Sequence, residues 1–155
     1  FVDKLIENKD YNTANSALSQ YQNTFAINDD LKYRQALVYY LSGNYGMVEK
    51  TINNATSLNA NNSHYLAYLQ LLGWTMVDQA KFALARDFFT QALDADNRLF
   101  YLGATLSSFF EKDLPDFIKY NEQLQKHPNW KTDALNTTWL SEKSISKITD
   151  FIKEN

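Results

Sequence analysis

Four glycines and two prolines are all the strong punctuation that 155 residues carry, and this scarcity constrains the fold more than any other feature. Sheets built from short strands need turn residues at close intervals, whereas long uninterrupted stretches suit helices. Between the breaks, apolar residues recur at helical spacing rather than in alternation. Over 31–41, Leu31, Ala36, Leu37, Tyr40 and Leu41 form a stripe, Asp29 or Asp30 is placed to cap the first turn, and Gly43-Asn44 ends the run. A second helix is expected over 45–58, with Val48, Ile52 and Ala55 on one face, followed by the polar run 59–63. Helices over 65–77 and 82–93 repeat the arrangement, and their short connection implies antiparallel packing.

Two hairpins in succession carry a family resemblance. Leu72-Gly73, Phe82, Ala85, Phe89 and Ala92 match the small and aromatic positions of the tetratricopeptide repeat (TPR), a helical hairpin of about 34 residues. Met76 and Asn97 depart from it, standing where Tyr and Pro are usual. Ala36, Tyr39, Gly43, Tyr45, Ile52 and Ala55 follow the same order one unit earlier, with Val48 too large for its small position. The step from Ala36 to Gly73 equals that from Ala55 to Ala92, the three extra residues falling at 61–63. Tyr11, Ala14 and Leu18 place a further unit upstream, and the expectation is that the chain opens inside a helix at Phe1, as a segment of a longer array would.

A fourth hairpin is expected from helices over 99–110 and 116–124, joined by a turn about two residues short. A terminal helix over 141–152 follows, with Ile145, Ile148, Phe151 and Ile152 on one side. The resemblance implies a single all-α domain over 1–155. It is a right-handed α-solenoid of about three to four TPR-like hairpins (1–28, 29–62, 66–99 and 100–127) with a C-terminal cap over 128–155.

Composition narrows the function. Hydrophobic residues make up 45% and charged residues 21%, too apolar for a disordered chain, and no apolar run reaches the length of a membrane span. A net charge of -3 argues against a duplex-binding surface. The absence of cysteine removes disulfides, thiolate nucleophiles and Cys-based zinc sites. No cofactor or metal is implied. The Asn- and Lys-rich composition has a bacterial character, compatible with cytoplasm or periplasm. Sequons at Asn54-Ala55-Thr56, Asn61-Asn62-Ser63 and Asn136-Thr137-Thr138 are short matches at the level of chance.

No string assembles a catalytic constellation. His64 and His127 sit singly in or beside connections, without a second ligand at metal spacing. Asp29-Asp30 and Asp94-x-Asp96 suit caps and turns. Ser144-Ile145-Ser146-Lys147 matches an S-x-x-K string but lacks its companion motifs, and Gly43-Asn44-Tyr45-Gly46 lacks the rest of a phosphate loop. The expectation is a protein that is not an enzyme.

What remains is an aromatic excess of ten Tyr, ten Phe and three Trp. Proteins of the resembled family bind ligands on the concave face lined by the first helix of each hairpin. Carried onto this sequence, that face holds Tyr33, Arg34, Leu37, Tyr40, Gln70, Trp74, Val77 and Tyr101. Tyr, Trp and Arg dominate interface energetics, so the row is the expected groove for a peptide or protein partner; the competing reading is that the same residues are ordinary core. Lys and Asn are missing where a clamp for acidic chaperone tails needs them. The expected role is a scaffold or assembly factor. The alternatives are a chaperone resembling the small TPR chaperones of type III secretion, and an enzyme on a helical frame. Self-association through an apolar end at Phe1, Val2, Leu5 and Ile6 is a further expectation.

Overall fold

The computed structural model describes residues 1–24, 29–52, 59–95 and 98–155, the side chains of 23, 24, 94 and 95 excepted. Among the described residues there are ten α-helices and no strand. They are α1 (Val2–Glu7), α2 (Tyr11–Thr24), α3 (Asp29–Leu41), α4 (Tyr45–Ile52), α5 (Tyr65–Asp78), α6 (Phe82–Phe89), α7 (Arg98–Phe110), α8 (Leu114–Leu124), α9 (Trp130–Leu135) and α10 (Glu142–Glu154). A 3-10 helix, Thr90–Ala95, follows α6. No helix among the described residues is long and apolar enough to cross a membrane. Ala55, the 54–56 sequon, Asp96 and Asn97 lie outside the described residues.

Helices α1, α3, α5 and α7 end in the same way. Lys9, Gly43, Ala80 and Lys112 take positive φ angles of 60°, 81°, 58° and 62°. In each, that residue's N–H donates to the carbonyl three residues back, and the next N–H to the carbonyl five back: Asp10 to Leu5, Asn44 to Tyr39, Lys81 to Met76, and Asp113 to Ser108. This closure satisfies carbonyls that a helix end otherwise leaves open. The next helix starts two residues after each reversal, and Asp10 and Asp113 also cap it, accepting from the N–H groups of Thr13 (3.3 Å) and Asp116 (3.2 Å). The four reversals are spaced by 34, 37 and 32 residues.

Three local expectations are corrected. The turn into α8 is not shortened, since it closes with the same two hydrogen bonds as the others. Helix α8 begins at Leu114 rather than at 116, because Pro115 fits the first helical turn, where no N–H is required. Helix α6 stops at Phe89 instead of running to 93. There the Thr90 hydroxyl donates back to the Arg86 carbonyl at 2.9 Å, and Ala92 leaves helical geometry (φ -135, ψ 29).

The chain divides into two compact units, Phe1–Leu71 and Leu72–Asn155, with the division inside α5. In the first, α1 packs on α2, α2 on α3 and α3 on α4. Ala14, Leu18 and Val38 are fully buried, and Val2, Leu5, Ile6, Tyr11 and Leu31 pack against them. The exposed apolar end expected at the start of the chain is therefore reduced to Phe1, which is 86% exposed; Val2, Leu5 and Ile6 have an internal core to cover. Arg34 adds a fork onto Asp3 at 3.0 and 3.4 Å, and Gln35 donates to Asn15.

In the second unit, α7 packs against α6, α8, α9 and α10, and its residues from Leu102 to Ser108 are all buried. Phe89 lies between two glycines. A Cβ added at Gly73 would come within 2.5 Å of its ring, and one at Gly103 within 2.6 Å, while Trp74 meets the same ring edge-on at 5.1 Å. Helix α10 is fastened by three kinds of contact. Ser141 and Ser144 each donate to the Asp78 carboxylate at 2.6 Å, and Ser141 also caps the helix through the Ser144 N–H. Lys147 lies over the Phe110 ring at 4.7 Å, and Phe151 joins Phe109, Phe117 and Trp130 in an aromatic cluster.

Candidate functional site

The eight residues expected to line a groove are divided by the structure into buried and accessible groups. Tyr40 and Trp74 are fully buried, and Leu37, Gln70 and Val77 nearly so. Residues 68–77 of α5 are all buried, as expected for a helix that is apolar on every face. That all-round pattern was already present in the stretch from Tyr65 to Val77. Tyr33, Arg34 and Tyr101 reach solvent in part. Arg34 is engaged by Asp3, which holds the Asp3 carboxyl below its ordinary value through the hydrogen bond. The Tyr101 hydroxyl donates to the Leu93 carbonyl at 3.1 Å, and its ring lies 6.3 Å from that of His127.

In the first unit the structure joins residues that sequence reasoning kept apart. The rings of Tyr33, His64 and Tyr68 lie 6.0 to 6.3 Å from one another. His64 Nε2 is 2.8 Å from Asp30 Oδ1, and its Nδ1 is 3.1 Å from Ser63 Oγ. The Tyr68 hydroxyl donates to the carbonyl and carboxylate of Asp29 at 3.2 and 3.3 Å. Burial, with the Asp29 charge in second place, pushes the Tyr68 phenol well above its ordinary value, and burial raises that of Tyr33.

Serine, histidine and aspartate are thus within relay distance. A relay also needs a desolvated place where developing charge is stabilised. Here the Asp30 side chain is 68% exposed and Ser63 is exposed, so the contacts tether the turn over 59–64 to the start of α3.

The S-x-x-K string is accounted for in the second unit. Ser144 is fully buried against Asp78, and Lys147 is turned onto Phe110. Among the described residues no group of three His, Cys, Asp or Glu side chains is placed to hold a metal ion.

A hollow of about 300 Å³ opens where α7 turns into α8, lined by Ser108, Phe109, Lys112, Asp113, Leu114 and Phe117. Leu114, part of that lining, and Ile118, four residues on along α8, are 62% and 57% exposed. Sequence reasoning missed this place, although a signal was present. Leu114 and Ile118 stand four apart on α8, off the face that Tyr120 and Leu124 bury.

Arg86 braces the hollow from α6, reaching Asp113 at 3.0 Å and Asp116 at 3.6 Å. The arrangement offers a concavity, apolar surface and two charged lining residues of opposite sign, Lys112 and Asp113. No protein-family model matches this chain, and neither a curated protein nor a solved structure matches it.

Proposed function

We propose that this chain is a protein-binding module of TPR-like helical repeats, which grips a partner segment at the turn between α7 and α8. The observation that carries the reading is the apolar hollow flanked by exposed Leu114 and Ile118. Large aliphatic side chains held open to water beside a concavity mark interaction surfaces. The repeat reading is supported by the four reversals of identical hydrogen bonding at a near-constant interval. The fit of Phe89 between Gly73 and Gly103 supports it too, since small residues in one helix and an aromatic in the next characterise such hairpins. Tyr33, Arg34 and Tyr101 are the members of the sequence-derived groove that retain access for a partner.

Site-specific photo-cross-linking tests this function. Benzoylphenylalanine in place of Ile118 is expected to capture a discrete partner from cells that make the protein, and the same group at exposed Lys143 is not. A Leu114→Asp/Ile118→Asp variant with an unchanged circular dichroism spectrum should lose that partner. Equal labelling at both positions, or capture that survives the double variant, would refute a binding surface at this turn. A parallel Tyr33→Ala/Tyr101→Ala variant reports whether the sequence-derived row contributes.

A further inference from the structure

The α7–α8 hollow and helix α10 share two rings. Phe109 and Phe117, which line the hollow, are each half-buried. The ring of Phe151, on α10, meets that of Phe109 at 5.5 Å and that of Phe117 at 6.4 Å, both edge-on, and is itself fully buried. A second contact runs beside it: Lys147 of α10 lies 4.7 Å over the Phe110 ring, which stands 5.1 Å from that of Phe109. The rings that a guest in the hollow would touch are therefore held in place by α10. Toward its start, α10 is held by the Asp78 carboxylate through Ser141 and Ser144, and Asp78 does not line the hollow. Ser144 and Phe151 are about two helical turns apart, so the clip and the ring contact are separate places on one element.

From this we infer that α10 braces the hollow, so that its docking and the seating of an apolar side chain between Phe109, Leu114 and Phe117 stabilise each other. A terminal helix has one covalent connection to the body and can open without the rest unfolding. When it opens, Phe109 and Phe117 lose the ring that fixes their orientation, and they must be ordered afresh when a side chain enters. The two events are thereby coupled, and the coupling is reciprocal: what loosens α10 weakens binding, and what binds holds α10 shut. Charge has no part in it, since Arg86 and Lys112 at the rim are matched by Asp113 and Asp116.

The inference rests on the reading of the α7–α8 turn as a binding surface, and it fails separately from it. The isotope-labelled chain is titrated with the uncharged blocked peptide Ser-Gln-Phe-Gln-Gln-Ser, with Ala in place of Phe as the control, and nuclear magnetic resonance follows the shifts at residues 108–118. Amide exchange is then measured in Asp78→Ala, in which α10 is expected to exchange faster than α7, without peptide and with peptide at about nine times its dissociation constant. Exchange in α10 is expected to slow, by about tenfold where the open form does not bind at all, and the Ala peptide should leave it unchanged. Asp78→Asn, which keeps one acceptor oxygen for the serines, repeats the measurement with a smaller opening.

Unchanged or faster exchange in α10 while shifts at 108–118 report saturation overturns the inference, because the helix then opens without disturbing the hollow or competes for it. Exchange in α10 no faster than in α7 in both variants overturns it too, since α10 is then no separate element. An absence of shifts at 108–118 with the Phe peptide overturns it as well. In each case cross-linking at Ile118 decides independently whether the surface binds a partner.

Discussion

The two units of this chain share a turn and differ in what holds their helices together. Each contains two of the four equivalent reversals, so the backbone solution is common to both. The first unit packs Ala14, Leu18 and Val38 into one cluster, buries Tyr40, Ile52 and Tyr68 besides, and adds polar ties such as Arg34 to Asp3 and His64 to Asp30. The second fastens α10 with a carboxylate receiving two serine hydroxyls and fills its centre with aromatic rings. The local turn specifies the hairpin, while the side chains between hairpins decide how much each costs to open. Exposed ion pairs contribute little, because water and salt compete for both partners, whereas a buried ring is worth several kcal/mol.

The largest test of that contrast is Phe89→Ala. The ring is fully buried, and its removal should destabilise the second unit by about 3–5 kcal/mol. Gly103→Ala approaches the same ring from the other side. The added methyl overpacks by about 1–3 kcal/mol, offset by the roughly 1 kcal/mol that Ala gains over Gly inside a helix. If the clash is with the Phe89 ring, Gly103→Ala becomes neutral or stabilising in a Phe89→Leu background, which a double-mutant cycle by urea denaturation would show.

Next in size is the attachment of α10. Asp78→Ala leaves the Ser141 and Ser144 hydroxyls without their shared acceptor in a buried place, at a cost of about 1–3 kcal/mol. Amide exchange in α10 should accelerate, with that of α2 and α3 unchanged if the effect is local. A uniform acceleration throughout the chain would show that the clip supports global stability instead.

Much of the fold was legible because helix periods and breakers are local properties. The helix ends near Leu41 and Phe110, the start at Phe82 and the terminal helix all lie close to where spacing and capping put them. The irregularity of the interval was legible too, but the sequence reading put the loss of two residues in the fourth turn, which closes like the others. The groove was less legible. Leu37, Tyr40 and Trp74 are of residue types that serve equally in cores and interfaces, and their burial depends on the packing of distant segments. The turn residues Lys9, Ala80 and Lys112 were hidden for another reason. Only Gly43 announces a positive φ by its chemistry, while the other three accept strain that the surrounding hydrogen bonds hold in place.

That strain separates two otherwise equivalent turns. A non-glycine residue in the left-handed region costs about 1–2 kcal/mol, part of which glycine returns through the greater freedom of the unfolded chain. Ala80→Gly should therefore stabilise by roughly 0.5 kcal/mol. Gly43→Ala should destabilise by about 1 kcal/mol, with no contribution from crowding, since a Cβ there meets nothing within 4 Å. Thermal unfolding of the two variants would check the opposite signs. If both destabilise, the two reversals are not equivalent despite their matching hydrogen bonds.

The smallest effect belongs to the tie between Asp3 and Arg34, and pH isolates it. The hydrogen bond from Arg34 depresses the Asp3 carboxyl in the folded state, so the folded protein holds the ionised form more firmly than the unfolded chain does. Its contribution is present above the unfolded value near 3.9, and it is lost as pH falls through the lower folded value. Because Asp3 is mostly exposed, a few tenths of a kcal/mol is the expected scale. The stability difference between wild type and Arg34→Ala should accordingly be constant near neutrality, shrink below about pH 4, and diminish with added salt. A difference that persists at pH 2 would mean that Arg34 acts through the packing of its aliphatic stem rather than through its charge, and the first unit would then depend less on polar ties than its contacts imply.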